Sequence, residues 1–125
     1  MTTLADTNVL LAFLLEDRSV EREAVAAWVE AHGPLVIGEA VLVETCWVLG
    51  GGANSSREEG ARRVRELLAS SSFEVWDDDL VSDALELMER HPQLAIVDCL
   101  LAARAARGDA VLTFDRRLSR VIDAP

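Results

Sequence analysis

Lysine is absent from this chain, and cysteine, histidine and proline are scarce. The 125 residues include two cysteines, two histidines and three prolines, and all 12 basic residues are arginines. Receiver domains, P-loop proteins and haloacid-dehalogenase-type phosphatases resemble this chain in length or fold class, but each relies on a lysine at its phosphate site. The sequence therefore argues against these three classes.

The few cysteines and histidines do not form a metal-binding pattern. Cys46 and Cys99 lie in apolar helical stretches without CxxC spacing, which predicts buried reduced thiols rather than zinc ligands or a disulfide. His32 and His91 stand alone at helix ends, too far apart in sequence for a local ligand pair. Any metal site in this chain is expected to use oxygen ligands.

Long apolar runs are also missing. No stretch approaches the roughly 20 residues of a membrane span, and the N-terminus lacks the basic start and cleavage site of a signal peptide. We therefore expect a cytoplasmic protein without a membrane partner. With 125 residues, half of them hydrophobic, the chain suits a single domain, residues 1–125, with its own core.

Short apolar segments alternate with helical patterns, which indicates βα units and a mostly parallel sheet. Strands are expected at 3–5, 35–37, 73–76 and 110–114, with a further edge strand at 121–123. Helices are expected over 8–15, 19–31, 39–49, 56–70, 80–90 and 97–107, and a short one after 115.

Local signals fix several helix ends. The second helix has an apolar stripe, and Gly33-Pro34 ends it. Ser56 and Glu59 form a capping box after the linker GGGANSS. The acidic run 77–79 is expected to cap the helix that follows it. The stripe consists of Val20, Ala24, Ala27, Trp28 and Ala31.

Four carboxylates stand in otherwise apolar segments: Asp6 in LADTNVLL, Glu44 in AVLVETCWVL, Asp98 in LAIVDCLLAA and Asp115 in AVLTFDRRL. Burying each as an unpaired ion would cost several kcal/mol, so a shared cation is expected to compensate them. Functional groups of parallel sheets gather at the carboxyl ends of strands. We therefore predict that the four acids converge there.

Each acid also has a simpler explanation. Asp6, Asp98 and Asp115 stand near helix starts, where aspartate commonly caps free backbone N–H groups. Glu44 is in mid-helix, where it is either a ligand or a residue of an exposed helix edge. The residues alone leave both interpretations open.

An all-oxygen donor set favours Mg²⁺ or Mn²⁺, and carboxylate clusters holding such ions serve phosphoryl chemistry. The formal net charge of −10 opposes a nucleic-acid partner, but a metal can bridge acid and phosphate. The C-terminal part is locally basic, and we predict that Arg104 and Arg116 bind substrate phosphate. A solvated helix face is the alternative for these arginines.

The motifs DTNVLL, VLVETCWVL, IVDCLLAARA and TFD together resemble those of PIN-domain nucleases, specifically the small VapC-type toxins of prokaryotic toxin–antitoxin pairs. The resemblance covers nearly the whole chain. It implies a PIN-like three-layer α/β/α sandwich with a mostly parallel sheet of four or five strands. It also implies a magnesium- or manganese-dependent endoribonuclease that forms a homodimer and is held in check by a cognate antitoxin.

The resemblance assigns roles to individual residues. Asp6, Glu44 and Asp98 match the three core metal-binding acids of the family, and Asp115 matches the fourth. Asn8 and Thr113 match polar positions that support the acids through hydrogen bonds, and capping explains Asn8 equally well. Glu39 departs from the family, which commonly has a small polar residue there. The sequence does not determine how the extra charge of Glu39 affects metal affinity. It also does not determine which RNA is the target.

The early helices carry more apolar residues than one sheet face can cover, which predicts a groove for an antitoxin segment or a second subunit. Simple core packing is the alternative. The second candidate for the whole protein is a PIN-like module that binds RNA or protein without cleaving. The groove residues are Leu11, Phe13, Leu14, Leu15, Val25 and Trp28.

Overall fold

The computed structural model describes residues 1–15, 17–50 and 57–123. The chain divides into two compact units, Met1–Trp76 and Asp77–Pro125. In the described part, the first unit contains all of the strands and four of the helices, and the second unit contains three helices.

The first unit alternates strands and helices in the way the sequence predicts. Its elements are β1 (Leu4–Ala5), α1 (Thr7–Leu14), α2 (Ser19–His32), β2 (Leu35–Ile37), α3 (Glu39–Gly50), α4 (Arg57–Ala69) and β3 (Phe73–Val75). The strands pair in parallel in the order β1-β2-β3, with Ala5 opposite Ile37 and Ile37 opposite Val75. The predicted α/β class with a parallel sheet, as in a three-layer α/β/α fold, is thus confirmed.

The core of the first unit surrounds the central strand. All three residues of β2 are buried, as expected for a parallel strand covered on both faces. Leu10 of α1, Leu42 of α3 and Val64 of α4 are almost completely buried. Phe13 packs edge to face on Phe73, with ring centroids 5.0 Å apart. Core packing therefore accounts for part of the predicted groove.

The predicted stripe of α2 does not face the core. None of the residues of α2 is buried, and Val20 is 77% exposed. Ala24, Ala27 and Ala31 are also exposed, so Trp28 alone of the predicted stripe is half-buried. The helix packs against α1, and four of its residues are half-buried. This set is Arg22, Val25, Trp28 and Val29.

Two arginines bind the carboxyl end of α1. The Nε of Arg22 donates to the carbonyl oxygen of Ala12 at 3.0 Å, and its Nη2 donates to that of Leu15 at 2.6 Å. Arg63 of α4 donates through Nη1 to the carbonyl oxygen of Leu14 at 3.3 Å. The last carbonyls of a helix lack partners within the helix and carry partial negative charge. These arginines satisfy them and tie α1 to α2 and α4.

The second unit is a helical assembly of α5 (Asp78–Arg90), α6 (Ile96–Ala106) and α7 (Arg116–Asp123). Ala84 and Leu85 of α5, Cys99 of α6 and Leu118 of α7 are all buried. At the end of α6, Arg107 forms a 2.7 Å ion pair with Asp83 of α5. Apolar packing and this ion pair join α5 and α6.

The structure corrects two strand predictions in the second unit. Residues 110–114 have no regular secondary structure. Leu112 and Phe114 are almost fully exposed and Val111 and Thr113 are half-buried, so the alternation of a strand is present without a paired neighbour. Residues 121–123 belong to α7, where Val121 falls on the same helix face as the buried Leu118.

The helix-start predictions have mixed outcomes. Ser56 lies outside the described residues, and Glu59 forms a 3.2 Å ion pair with Arg63. Asp77 precedes α5 with a left-handed φ of 55°, and its side chain makes no capping hydrogen bond. The acidic run therefore acts on α5 through the charges of Asp78 and Asp79 in its first turn.

Two remaining expectations concern thiols and membranes. Cys46 is half-buried and Cys99 is buried, and neither forms a disulfide within the described part of the chain. None of the described helices has the length and apolar character needed to cross a membrane.

Arg22→Lys should lower the free energy of unfolding by about 1–2 kcal/mol, because lysine keeps the charge but cannot reach two carbonyls with a planar fork. Urea denaturation measures the change. Arg62→Lys is the control, since Arg62 is 68% exposed and lies 3.9 Å from Glu59; its effect should stay below about 0.5 kcal/mol. Equal effects of the two variants would contradict a special role for Arg22.

Candidate functional site

Asp6 leaves the sheet at the carboxyl end of β1 and caps α1. Its Oδ1 accepts a hydrogen bond from the backbone N–H of Val9 at 3.1 Å. The side chain is exposed, and its second oxygen accepts no hydrogen bond from any residue that the structure describes. Asp6 can thus cap the helix with one oxygen and bind a ligand with the other.

Glu44 lies on the outer face of α3. Leu42, Thr45 and Leu49 form the inner face of this helix and are buried, whereas Glu44 is exposed. It forms no hydrogen bond or ion pair with residues 1–15, 17–50 or 57–123. Glu44 therefore lies on an exposed helix edge, and both of its carboxylate oxygens are accessible.

Asp98 is the third residue of α6 and is half-buried. Its Oδ2 accepts a hydrogen bond from the backbone N–H of Ala95, the residue before the helix, at 3.1 Å. This is the acidic half of a capping box, and alanine has no side-chain oxygen to complete the other half. One oxygen of Asp98 is used in the cap, as in Asp6.

Asp115 caps α7. Its Oδ1 accepts hydrogen bonds from the backbone N–H groups of Arg117 at 2.8 Å and Leu118 at 3.3 Å. The Nε of Arg117 is 3.8 Å from the same oxygen. The backbone N–H of Asp115 donates to Oγ1 of Thr113 at 2.9 Å. Thr113 therefore holds the backbone of Asp115 and does not contact its carboxylate.

The four carboxylates are not buried, so burial does not require a shared cation to compensate them. Asp6 and Glu44 are exposed, and Asp98 and Asp115 are half-buried, so water already solvates all four carboxylates. The acids lie at helix starts or on an outer helix face, and several of their apolar neighbours in the sequence, such as Trp47 and Phe114, are exposed as well. The prediction that burial of these acids carries a desolvation cost was therefore wrong.

The donor set nevertheless fits a hard cation. Each acid has at least one oxygen that no described residue uses, and carboxylate oxygen is the donor that Mg²⁺ and Mn²⁺ prefer. The first unit contains Asp6 before α1 and Glu44 on α3, and the second contains Asp98 on α6 and Asp115 before α7; α1 packs on α3, and α6 packs on α7. Within either unit, the described residues contain no group of three or more acids, histidines or cysteines arranged for a metal.

The predicted auxiliary residues have different surroundings. Asn8 is an exposed residue of α1, forms no hydrogen bond with a described residue, and does not cap the helix, because Asp6 does. Arg116 is the exposed first residue of α7 and has no ion pair within the described residues. Glu39 is the exposed first residue of α3.

Arg104 borders a cavity of about 490 Å³ in the second unit. The other residues around the cavity are mostly acidic, so the setting of Arg104 is less favourable to phosphate than the sequence suggests. No sequence pattern predicted this cavity, although Arg107 follows Arg104 by one helical turn. The lining consists of Asp77, Asp78, Asp79, Leu80, Arg104, Arg107 and Asp109.

The first unit is an α/β fold with a parallel sheet whose first strand ends at a carboxylate, that of Asp6. The family model of the PIN domain matches residues 3–123. The chain therefore belongs to the PIN-domain family, whose members are generally nucleases and typically use divalent metals. No curated protein and no solved structure matches the chain.

Two substitutions at Asp115 should separate capping from any other role. Asp115→Ala removes the acceptor for two backbone N–H groups and should lower the free energy of unfolding by about 1 kcal/mol. Asp115→Asn keeps an acceptor oxygen and should stay within a few tenths of a kcal/mol, since asparagine caps helices about as well as aspartate. Urea denaturation of both variants measures this; equal losses would contradict the capping role.

Proposed function

We propose that this protein is a metal-dependent endoribonuclease and the toxin component of a type II toxin–antitoxin pair. The observation that carries the proposal is the PIN-family match over residues 3–123, which includes all four acids. We treat residues 1–125 as one functional domain. Since the proposed substrate is RNA, we place its action in the cytoplasm.

In this proposal Asp6, Glu44, Asp98 and Asp115 hold Mg²⁺ or Mn²⁺. Support comes from the free oxygens, because capping uses one oxygen each of Asp6, Asp98 and Asp115. Capping also fixes the side-chain direction before any ligand arrives, which lowers the entropy lost on binding. When bound, the cation lowers the pKa of a water molecule and offsets charge that develops on the phosphate.

The protein's own residues position the substrate. Arg116 is exposed beside Asp115 and has a guanidinium group that can bind two phosphate oxygens at once. Arg104 is proposed for the same role, although the acidic lining of its cavity weakens its attraction for phosphate. Asn8, next to the cap of α1, is proposed to support the acids through a hydrogen bond, and Thr113 holds the backbone of Asp115 in place.

A cognate antitoxin and a second copy of the chain are the proposed protein partners. The surface between α1 and α2 supports an antitoxin site, since Leu14, Leu15, Val25 and Trp28 remain half-buried. An amphipathic segment that covers these side chains would bury additional apolar area. The homodimer rests on the family alone.

Asp6→Asn and Asp98→Asn should each reduce Mg²⁺- or Mn²⁺-dependent cleavage of single-stranded RNA on the order of a hundredfold or more, because a neutral amide is a poor ligand for a hard cation. Both variants keep an acceptor oxygen, so the free energy of unfolding should change little. Cleavage is followed by gel electrophoresis of a labelled RNA.

Glu86→Gln is the control, because Glu86 is an exposed acid of α5 with only a 3.8 Å ion pair to Arg90, and it should retain full activity. Equal cleavage by the wild type and both aspartate variants would remove the catalytic assignment. A wild type that binds RNA but does not cleave it with either metal would favour the non-catalytic RNA-binding module.

Expression of the chain in a bacterial host should arrest growth, and co-expression of the product of the neighbouring gene should restore it. Leu14→Asp places a charge in the proposed antitoxin surface and should weaken the restoration while RNA cleavage persists. Growth curves and RNA cleavage by the purified variant measure the two effects. Growth arrest that persists despite abundant neighbouring product would contradict the toxin–antitoxin assignment.

A further inference from the structure

Trp47 lies on the same outer face of α3 as Glu44. The two residues are three positions apart, a spacing at which helix side chains are neighbours. Trp47 is 75% exposed and the adjacent Val48 is 43% exposed. The indole makes no hydrogen bond and no ring contact with any residue in the described ranges. A large aromatic surface is thus presented to solvent beside a proposed metal ligand.

The outward direction of Trp47 follows from the packing of α3. Leu42, Thr45 and Leu49 occupy the opposite side of the helix and are at most 4% exposed. The hydroxyl of Thr45 donates to the carbonyl oxygen of Val41 at 2.8 Å, which satisfies the polar group on that side. Rotating α3 to bury Trp47 would expose Leu42, Thr45 and Leu49. The packing of these residues therefore keeps the indole on the outer side of the helix.

The size of this apolar surface argues against a second copy of the chain as its occupant. Tryptophan contributes about 150–250 Å², whereas a stable protein interface buries roughly 800 Å² on each partner. Trp47 and Val48 together supply only a fraction of that area. The surface matches a smaller flat object, and a nucleic-acid base is of this size.

The charge of α3 argues for stacking rather than phosphate binding. The helix contains two glutamates, Glu39 and Glu44, and no basic residue. A phosphate backbone therefore finds no cation on α3 itself, and affinity there must come from a bound metal or from contacts that do not depend on charge. Stacking of an unpaired base on an aromatic ring is such a contact.

We propose that Trp47 is a substrate-binding residue that stacks on an unpaired base of single-stranded RNA, next to the phosphate that is cleaved. This inference rests on the proposed role of Glu44, because one helical turn separates the indole from that carboxylate. Trp47 selects single-stranded over double-stranded RNA, since a base within a duplex is already stacked and cannot reach the ring.

The test uses binding and cleavage separately. Binding of a short labelled single-stranded RNA is measured by fluorescence anisotropy in the Asp98→Asn background with Mg²⁺, so that cleavage does not remove the probe. Adding Trp47→Ala should weaken binding roughly five- to a hundredfold, and Trp47→Phe should restore most of it. With Asp98 intact, Trp47→Ala should raise KM by a similar factor and change kcat less.

Val20→Ala is the control. Val20 belongs to the same unit and is 77% exposed, but it lies on α2 and does not share a helix face with Glu44. It should change RNA affinity less than twofold, and neither variant should change binding of a double-stranded RNA of the same sequence. Equal losses for Trp47→Ala and Val20→Ala, or no loss for Trp47→Ala, would overturn the stacking role.

The two proposals fail in different ways. If the wild type does not cleave RNA but Trp47→Ala weakens single-strand binding, the nuclease assignment falls and the stacking role stands. If cleavage is metal-dependent but insensitive to Trp47, the stacking role falls alone. Light scattering completes the test: a change from dimer to monomer in Trp47→Ala, with unchanged RNA affinity, would identify the surface as a protein interface and overturn the proposal.

Discussion

The structure depends on the parallel pairing of three short strands. Because β1, β2 and β3 run in the same direction, the chain leaves all three at one edge of the sheet. Asp6 follows β1 at this edge, and α3 begins there after β2. The strands are only two or three residues long, so the buried β2 and the helices packed on it, rather than backbone pairing alone, hold the edge in place.

Helix capping and the proposed ligand binding use the same carboxylates without conflict. A backbone N–H needs one acceptor oxygen, and a carboxylate has two, so Asp6, Asp98 and Asp115 can each satisfy a helix start and retain an oxygen. An acid in this setting is both structurally required and chemically accessible. Capping by itself therefore does not argue against a functional role.

The charge distribution limits how the protein holds an anionic substrate. Several of its arginines serve the fold: Arg22 and Arg63 bind carbonyls of α1, and Arg107 pairs with Asp83. The net charge of −10 repels RNA at long range. In the proposed function, affinity for RNA therefore has to come from close contacts, namely a bridging cation, individual arginines such as Arg116 and base stacking on an exposed ring such as Trp47. This mode of binding favours single strands over duplexes.

The sequence by itself determined the α/β class, the three described strands to within a residue and the helix starts at which three of the acids stand. These features depend on local rules: apolar runs, glycine and proline at helix ends, and aspartate at N-caps. Tertiary packing alone decided which side of each helix faces inward. It turned the alanines of the α2 stripe and the indole of Trp47 to solvent. It also left residues 110–114 unpaired and placed the acids in water rather than in the core. Periodicity reveals that a helix has an apolar face, but the rotation of the helix depends on contacts between residues distant in sequence, such as that of Arg63 with the carbonyl of Leu14.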